Sequence, residues 1–291
     1  MAQNLIGIIG GSGLGDALAD KLTNKEIHDI DTPFGKPSCP IIVGDLGTNK
    51  IAFLARHGLG HTLSPSEVPY AANIFALKSL GVHAIIASAA VGSLREEIQP
   101  KQIIMVDQFI DKTFKRQNTF FGSTAVVHCE FAHPVCSRLH GILCKTAKKI
   151  IDVKTHEKGT YVCMEGPQFS TRAESLMHRS WGADLIGMTA MPEAKLAREA
   201  QICYTLVALS SDYDCWKPSK DTDKQTLLNE IIGNLTQATE NAIRLIEAVL
   251  KDAGSLTEET CSCRKSLDLA VWTSPEKIDP AKKQKLSILF E

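Results

Sequence analysis

The sequence predicts an α/β fold with a mixed or parallel sheet in one domain. Three observations carry this. Short apolar runs bounded by Gly, Asp or Pro alternate with segments of helical period. The runs are continuously apolar rather than alternating, as in strands buried on both faces. No internal repeat, low-complexity tract or Pro/Gly/Ser linker divides the 291 residues, so residues 1–291 read as a single domain with a more variable tail from about 251.

In chain order, the strand candidates are Leu5–Ile9, Ile41–Val43, Ile51–Ala55, Ala84–Ser88 and Ile103–Val106. They recur as Tyr161–Cys163, Asp184–Ile186 and Cys203–Leu209. Helices are expected over Ser66–Leu80, Pro134–Ile151, Thr171–Trp181 and Leu227–Leu250. The last is the clearest, because Leu227, Leu228, Ile231, Ile232 and Leu235 begin an apolar stripe that continues to Val249.

Composition narrows the function. The formal net charge is -1, which argues against a nucleic-acid groove or an anionic membrane surface. No apolar run approaches the roughly 18 residues of a bilayer span, and the start lacks the pattern of a secretory signal. Nine cysteines, an odd number, fit reduced thiols in a cytoplasmic setting better than a disulfide framework. The closest pair is Cys261-Ser262-Cys263. C-x-C is not zinc-finger spacing and no second Cys/His pair stands at a suitable distance, so two ordinary thiols and no metal are expected.

The first strand leads into G-G-S-G-L-G-D, residues 10–16. A dinucleotide turn needs G-x-G-x-x-G, but Gly11-Ser12-Gly13-Leu14-Gly15-Asp16 puts Asp where the third glycine belongs. A P-loop needs lysine after the sixth position, and Asp16 stands there. Two readings remain open: a cradle for one small anion, built from backbone N–H groups and the Ser12 hydroxyl, or a plain chain reversal.

Four other strand ends present polar or small residues where open α/β sheets bind ligands. Arg56-His57 follows Ile51–Ala55, and Arg is suited to bidentate anion contact. A surface Arg with a capping His would read the same. Ala89-Ala90-Val91-Gly92-Ser93 is a small-residue exit from Ala84–Ser88. Gly187-Met188-Thr189 and Ser210-Ser211-Asp212-Tyr213-Asp214 end two later strands. A separate loop, Glu165–Thr171, carries Phe169, which could stack on a planar ring or anchor the loop. Asp212 and Asp214 face one side of an extended segment, so each raises the other's proton affinity. A solvated acidic turn is the alternative.

Taken together, I-G-I-I-G-G-S-G-L, F-L-A-R-H-G, V-G-S-L-R-E-E-I-Q-P, D-Q-F-I-D, E-G-P-Q-F-S-T-R-A-E-S, W-G-A-D-L-I-G-M-T-A-M-P-E and S-D-Y-D-C-W resemble one family. It is the trimeric branch of the purine nucleoside phosphorylases, which holds the methylthioadenosine phosphorylases. The resemblance runs from about Leu5 to Trp216, weaker beyond. It implies a central mixed sheet flanked by helices, a homotrimer, and phosphorolysis of methylthioadenosine to adenine and 5-methylthioribose 1-phosphate. It implies no cofactor, phosphate being a co-substrate. Carried over, Ser12, Arg56, His57, the Ala90 N–H and Thr189 would bind phosphate. Met188 would pack on the ribose and Phe169 on the adenine. Asp212 and Asp214 would face the base, Asp212 as general acid. His128 would reach a neighbour's methylthio pocket, which Leu289 with Leu227 or Leu228 would complete.

Three positions depart from the family pattern. Ala89 replaces a threonine of the phosphate turn, Gly187 an asparagine before Met-Thr, and Ser12 the common threonine. Weaker phosphate affinity and a looser sugar pocket are expected. Methylthioinosine, adenosine or a 6-oxopurine nucleoside therefore remain as alternative substrates. So does a weakly catalytic paralogue that binds nucleoside or phosphate.

Overall fold

The structure is a computed structural model and describes residues 5–11, 14–47, 49–218, 223–251, 256–257 and 260–290. The strands are β1 Ile6–Gly10, β2 Thr23–His28, β3 Ile41–Leu46, β4 Asn49–Ala55, β5 Ala84–Ser93 and β6 Ile103–Val106. They continue as β7 Gln108–Asp111, β8 Thr155–His156, β9 Thr160–Cys163, β10 Leu185–Gly187 and β11 Cys203–Asp212. The helices are α1 Leu14–Ala19, α2 Tyr70–Ser79, α3 Ser137–Ile150, α4 Arg172–Ser180, α5 Ala190–Glu199, α6 Lys224–Leu250 and α7 Pro280–Lys285.

One mixed sheet runs β2-β3-β4-β1-β5-β10-β9-β7, with β11 on β5 and then β6 and β8 branching from it. β1, β5 and the first nine residues of β11 are almost entirely buried, as their continuous apolar runs predict. β2 lies at an edge with Lys25 and Glu26 in solvent, which blunts pairing with another chain. One core face packs β5 and β11 against α2 and α5, and the other packs them against α1, α3 and α6. Among the described residues, no helix is long and apolar enough to cross a membrane.

The sequence reading missed α5 for a physical reason. It is only ten residues long and carries a proline at its third position, which breaks a helical reading of so short a segment. Met191 breaks its φ/ψ run, before Pro192. The strongest predicted helix, from Leu227, starts three residues earlier at Lys224, where Asp223 accepts the Thr226 N–H at 2.9 Å.

The sheet pairing leaves one gap. β1 covers β5 only as far as Ala87, and β10 joins the same strand, antiparallel, only at Gly92 and Ser93. Ser88 to Val91 therefore present one backbone edge that neither strand covers, while β11 pairs the opposite edge throughout. The ends of β1, β4, β10 and β11 surround this stretch.

α4 follows the Glu165–Thr171 loop and is fixed by a capping box. Thr171 Oγ1 accepts the Glu174 N–H at 3.2 Å, and Glu174 Oε2 accepts the Thr171 N–H at 2.7 Å. Thr171→Ala should lower stability by about 1 kcal/mol, seen as an earlier midpoint in denaturant unfolding. An unchanged midpoint would show that the loop entry is held by other contacts.

Candidate active site at the strand ends

β4 delivers Arg56 beside the uncovered stretch of β5. Its backbone N–H bonds Gly10 O at 2.9 Å, which continues the β1/β4 ladder. The side chain is 0% exposed. Nε donates to Glu193 Oε2 at 2.6 Å and Nη2 to Glu193 Oε1 at 2.8 Å, while Nη1 donates to Ser88 O at 2.7 Å. Tyr204 on β11 donates its hydroxyl to Glu193 Oε1 at 2.9 Å. Three of the five guanidinium N–H groups are thus engaged, leaving one on each terminal nitrogen without a partner among the described residues. Glu193, which holds Arg56 in place, is a residue that the sequence reading does not single out.

The glycine turn lies against this guanidinium. A Cβ at Gly11 would stand 2.8 Å from Arg56 Nη1 and 2.8 Å from Ser88 O, so only glycine fits. The Gly11 N–H reaches Ser88 Oγ at 3.3 Å. Ser88 turns its carbonyl toward Arg56. By the two-residue alternation of a strand, the Ala90 N–H faces the same edge. Ser12 lies outside the described residues.

His57 is nearly buried and stacks on His61 with ring centroids 4.2 Å apart. Nδ1 lies 2.8 Å from Leu63 O, which can only accept, so Nδ1 carries the proton and Nε2 keeps a lone pair when the ring is neutral. Burial, and then the Arg56 charge, pushes its pKa down to about 4, so at neutral pH the ring is uncharged.

Across β5, Asp212 pairs in register with Gly92. Ser211 Oγ donates to Asp212 Oδ2 at 2.6 Å, and the Asp214 N–H to Oδ1 at 2.7 Å. Burial raises the Asp212 carboxyl above its ordinary value and the neighbouring Asp214 charge adds to this, against those two hydrogen bonds. Asp214 Oδ2 is buried and has no hydrogen-bond partner among the described residues. A solvated acidic turn does not describe this pair.

β10 brings Thr189 and Met188 to the same region. A Cβ at Gly187 would lie 2.1 Å from the Tyr161 hydroxyl, which also accepts the Thr189 N–H at 3.3 Å. The expected loosening of the pocket at Gly187 is therefore corrected: a fully buried tyrosine fills the space that a side chain at 187 would take. Arg116, also missed in the sequence, fastens the surrounding loops. Nη1 donates to Met188 O and Met191 O, both at 2.6 Å, and Nη2 to Glu165 O at 2.7 Å. It sits in a loop without a motif, so no sequence signal marked it.

The remaining candidates are more scattered. Phe169 is 86% exposed in the single chain. His128 is also exposed. Its N–H bonds Ala270 O at 2.9 Å, and its ring meets Trp272 edge-on. Leu227 is half-buried and Leu228 exposed on the first turns of α6. Leu289 does not join them. It is 0% exposed in the core layer of α2 and α5, whereas α6 packs on the opposite face of the sheet. The tail passes from the α6 face at Cys263 to the opposite face from Leu267 onward, a long-range path that local sequence cannot show. The reading of the C-x-C pair also needs correction: Cys136 and Cys203 stand beside Cys261 and Cys263.

With this geometry in place, comparison with known proteins is informative. A family model described as the phosphorylase superfamily matches residues 5–251. A protein of Gloeobacter violaceus named S-methyl-5'-thioadenosine phosphorylase is 46% identical over 99% of this chain and 95% of its own length. A protein of that name from Synechocystis is 48% identical over 100% of this chain and 88% of its own. The crystal structure of a methylthioadenosine phosphorylase from an antarctic soil metagenomic library superimposes with a TM-score of 0.90 at 44% identity, covering 99% of each chain. A methylthioadenosine phosphorylase from Schistosoma mansoni in complex with tubercidin gives a TM-score of 0.80 at 35% identity, over 91% of this chain and 96% of its own.

Two substitutions check the geometry. Glu193→Ala leaves Arg56 as a buried, uncompensated charge and should destabilise the protein by about 3–5 kcal/mol; a loss below about 1 kcal/mol would show that Arg56 finds another partner. Gly187→Ala should destabilise by about 1–3 kcal/mol through overpacking. In a Tyr161→Ala background that cost should vanish, and additive losses in the double mutant would disprove the steric pairing.

Proposed function

The chain belongs to the phosphorylase superfamily, and from that premise we propose the following reading of its site. The enzyme is a pentosyltransferase that cleaves S-methyl-5'-thioadenosine with phosphate, giving adenine and 5-methylthioribose 1-phosphate. One observation carries the assignment of roles. A buried cation and a backbone edge without a partner strand lie at the β5 gap, and a half-buried carboxyl of raised proton affinity lies at its end.

Phosphate sits against the gap. The two remaining N–H groups of Arg56, the Ala90 N–H, the Thr189 hydroxyl and the Ser12 turn supply donors. Neutral His57 offers its Nε2 lone pair to a phosphate O–H. Arg56 is held by Glu193 and Ser88, so its position is set before phosphate arrives and little reorganisation remains. Ala89 lacks the hydroxyl of the family pattern, and a lost hydrogen bond to a charged group costs about 1.5–3 kcal/mol. The buried cation and the open edge of β5 carry that load here.

Asp212 acts as general acid. As the C1'–N9 bond stretches, negative charge grows on the purine, and protonated Asp212 delivers its proton to N7. Such help is worth about 10²- to 10⁴-fold. Asp214 Oδ2, which lacks a partner, accepts from the 6-amino group. A phosphate oxygen then bonds to C1' from the opposite face of the sugar, and its charge stabilises the cationic ribose as the base leaves. Met188, whose carbonyl is held by Arg116, forms the wall against the ribose, and Phe169 covers the base. No cofactor enters this scheme.

The chain works as a homotrimer in a cytoplasmic setting. Two features support assembly: the exposed apolar start of α6, with Leu228 and Ile232, and the exposed patch of Leu269 and Trp272 beside His128. A neighbour's His128 closes the methylthio end of the site, with Leu227 and Leu228 on its apolar wall. Leu289, buried in the core on the other face of the sheet, takes no part in that wall.

The test is a pH profile of base release from methylthioadenosine. Asp212 must be protonated, so kcat should fall as pH rises through its raised pKa. Asp212→Ala should reduce kcat about 10²- to 10⁴-fold, and Asp212→Asn should lose the alkaline limb. A rate near that of the unaltered enzyme in both variants would remove Asp212 from proton transfer.

A further inference from the structure

Four cysteines from three distant parts of the chain meet at the end of the sheet away from the strand-end site. Cys203 is the first residue of β11, whose last is Asp212. At about 3.3 Å per residue, ten residues set the two some 30 Å apart. Cys136 is the N-cap of α3 and is tied to β11 by its N–H to Tyr204 O at 2.8 Å. Cys261 and Cys263 flank Ser262 in the tail, where a short 3-10 helix, Ser262–Lys265, turns both sulfurs to the same side. The Arg264 N–H bonds Cys261 O at 2.9 Å and fixes that turn.

The four sulfurs lie within 4.8 Å of one another, and those of Cys136 and Cys261 are 3.7 Å apart. Tetrahedral zinc with four thiolates at about 2.3 Å has sulfur-to-sulfur edges of about 3.8 Å. A disulfide requires about 2.05 Å, and all four cysteines are free thiols. Cys136, Cys203 and Cys263 are buried and Cys261 is partly so. Four packed neutral thiols would need no cation beside them. Here Arg138 points its Nη2 at Cys203 Sγ, 3.7 Å away, while the same nitrogen donates to Leu256 O at 2.9 Å. A zinc tetrathiolate carries two net negative charges, so a guanidinium beside it offsets part of that charge. The α3 N-terminus at Cys136 favours a thiolate for the same reason.

We propose that Cys136, Cys203, Cys261 and Cys263 form a structural zinc site that fastens the C-terminal tail to the catalytic body. All four positions around the ion are taken by protein, so the site has no open place for a substrate. Zinc displaces four thiol protons to solvent and undergoes no redox change. Its effect is mechanical. The tail beyond Cys263 bonds the His128 segment through Ala270 O and the core through Leu289 O, and the ion holds the start of that segment.

The test uses the full-length protein purified under reducing conditions without chelator, with zinc supplied during expression. Elemental analysis should give one zinc per chain, and Cys263→Ser should lower that at least about tenfold while Cys215→Ser, at an exposed cysteine outside the cluster, leaves it unchanged. Should Cys263→Ser fail to fold, cobalt exchange into the unaltered protein decides the matter. The spectrum should show intense visible bands of a tetrahedral tetrathiolate, and chelation should lower the thermal midpoint reversibly. Sub-stoichiometric metal, iron in place of zinc, or loss of these four thiols as two disulfides would each overturn the proposal.

Discussion

The strand-end site depends on one buried ion pair. Arg56 and Glu193 sit out of water, where charge is costly, and their bidentate contact exists because both ends are otherwise satisfied. Ser88 O takes the third guanidinium N–H, and Tyr204 gives its hydroxyl to the carboxylate. Through those two groups the pair joins β4, β5, α5 and β11 at one point. Such a pair contributes less to stability than to position. It fixes a positive charge on the floor of a gap in the sheet.

That gap is a property of topology. β5 is long enough to pair with β1 along its first half and with β10 at its far end, and the two partners approach from opposite directions. Between them Ser88 to Val91 have no strand to pair with on one edge, and Arg56 takes the Ser88 carbonyl there. A sheet normally hides such an edge. Here Gly11 and Arg56 close on it, and in the proposed reading this edge is where the anion rests. Asp212 arrives at the end of the same stretch by its register with Gly92. Two chemical functions thus share one strand as their common ruler.

The strand ends were legible because their evidence is local. A buried strand announces itself by an apolar run, and the polar residues that follow it must stand at the sheet's edge. Arg56, His57, Thr189, Asp212 and Asp214 stand just past or at strand ends by that rule. Glu193 and Arg116 do not, since one lies in a helix with no exposed face and the other in a loop, and both matter only through partners far along the chain. The tail misled for the same reason. Only the family resemblance assigns Leu289 to a pocket wall, and its place in the core depends on the path of the tail; the C-x-C pair reads as solitary because its companions are dozens of residues away. Long-range meetings of single residues leave no periodic trace.

The contact between Gly187 and Tyr161 also constrains the history of this chain. A side chain at 187 and the tyrosine hydroxyl claim the same volume, and no rotation of a fully buried ring can share it. A lineage that exchanges one for the other pays least by passing through a form with neither. Once the tyrosine is in place and the Thr189 N–H bonds to it, the return step carries a packing cost until the ring is lost. The absence of a side chain at 187 is thus a ratchet, and position 161 holds its release.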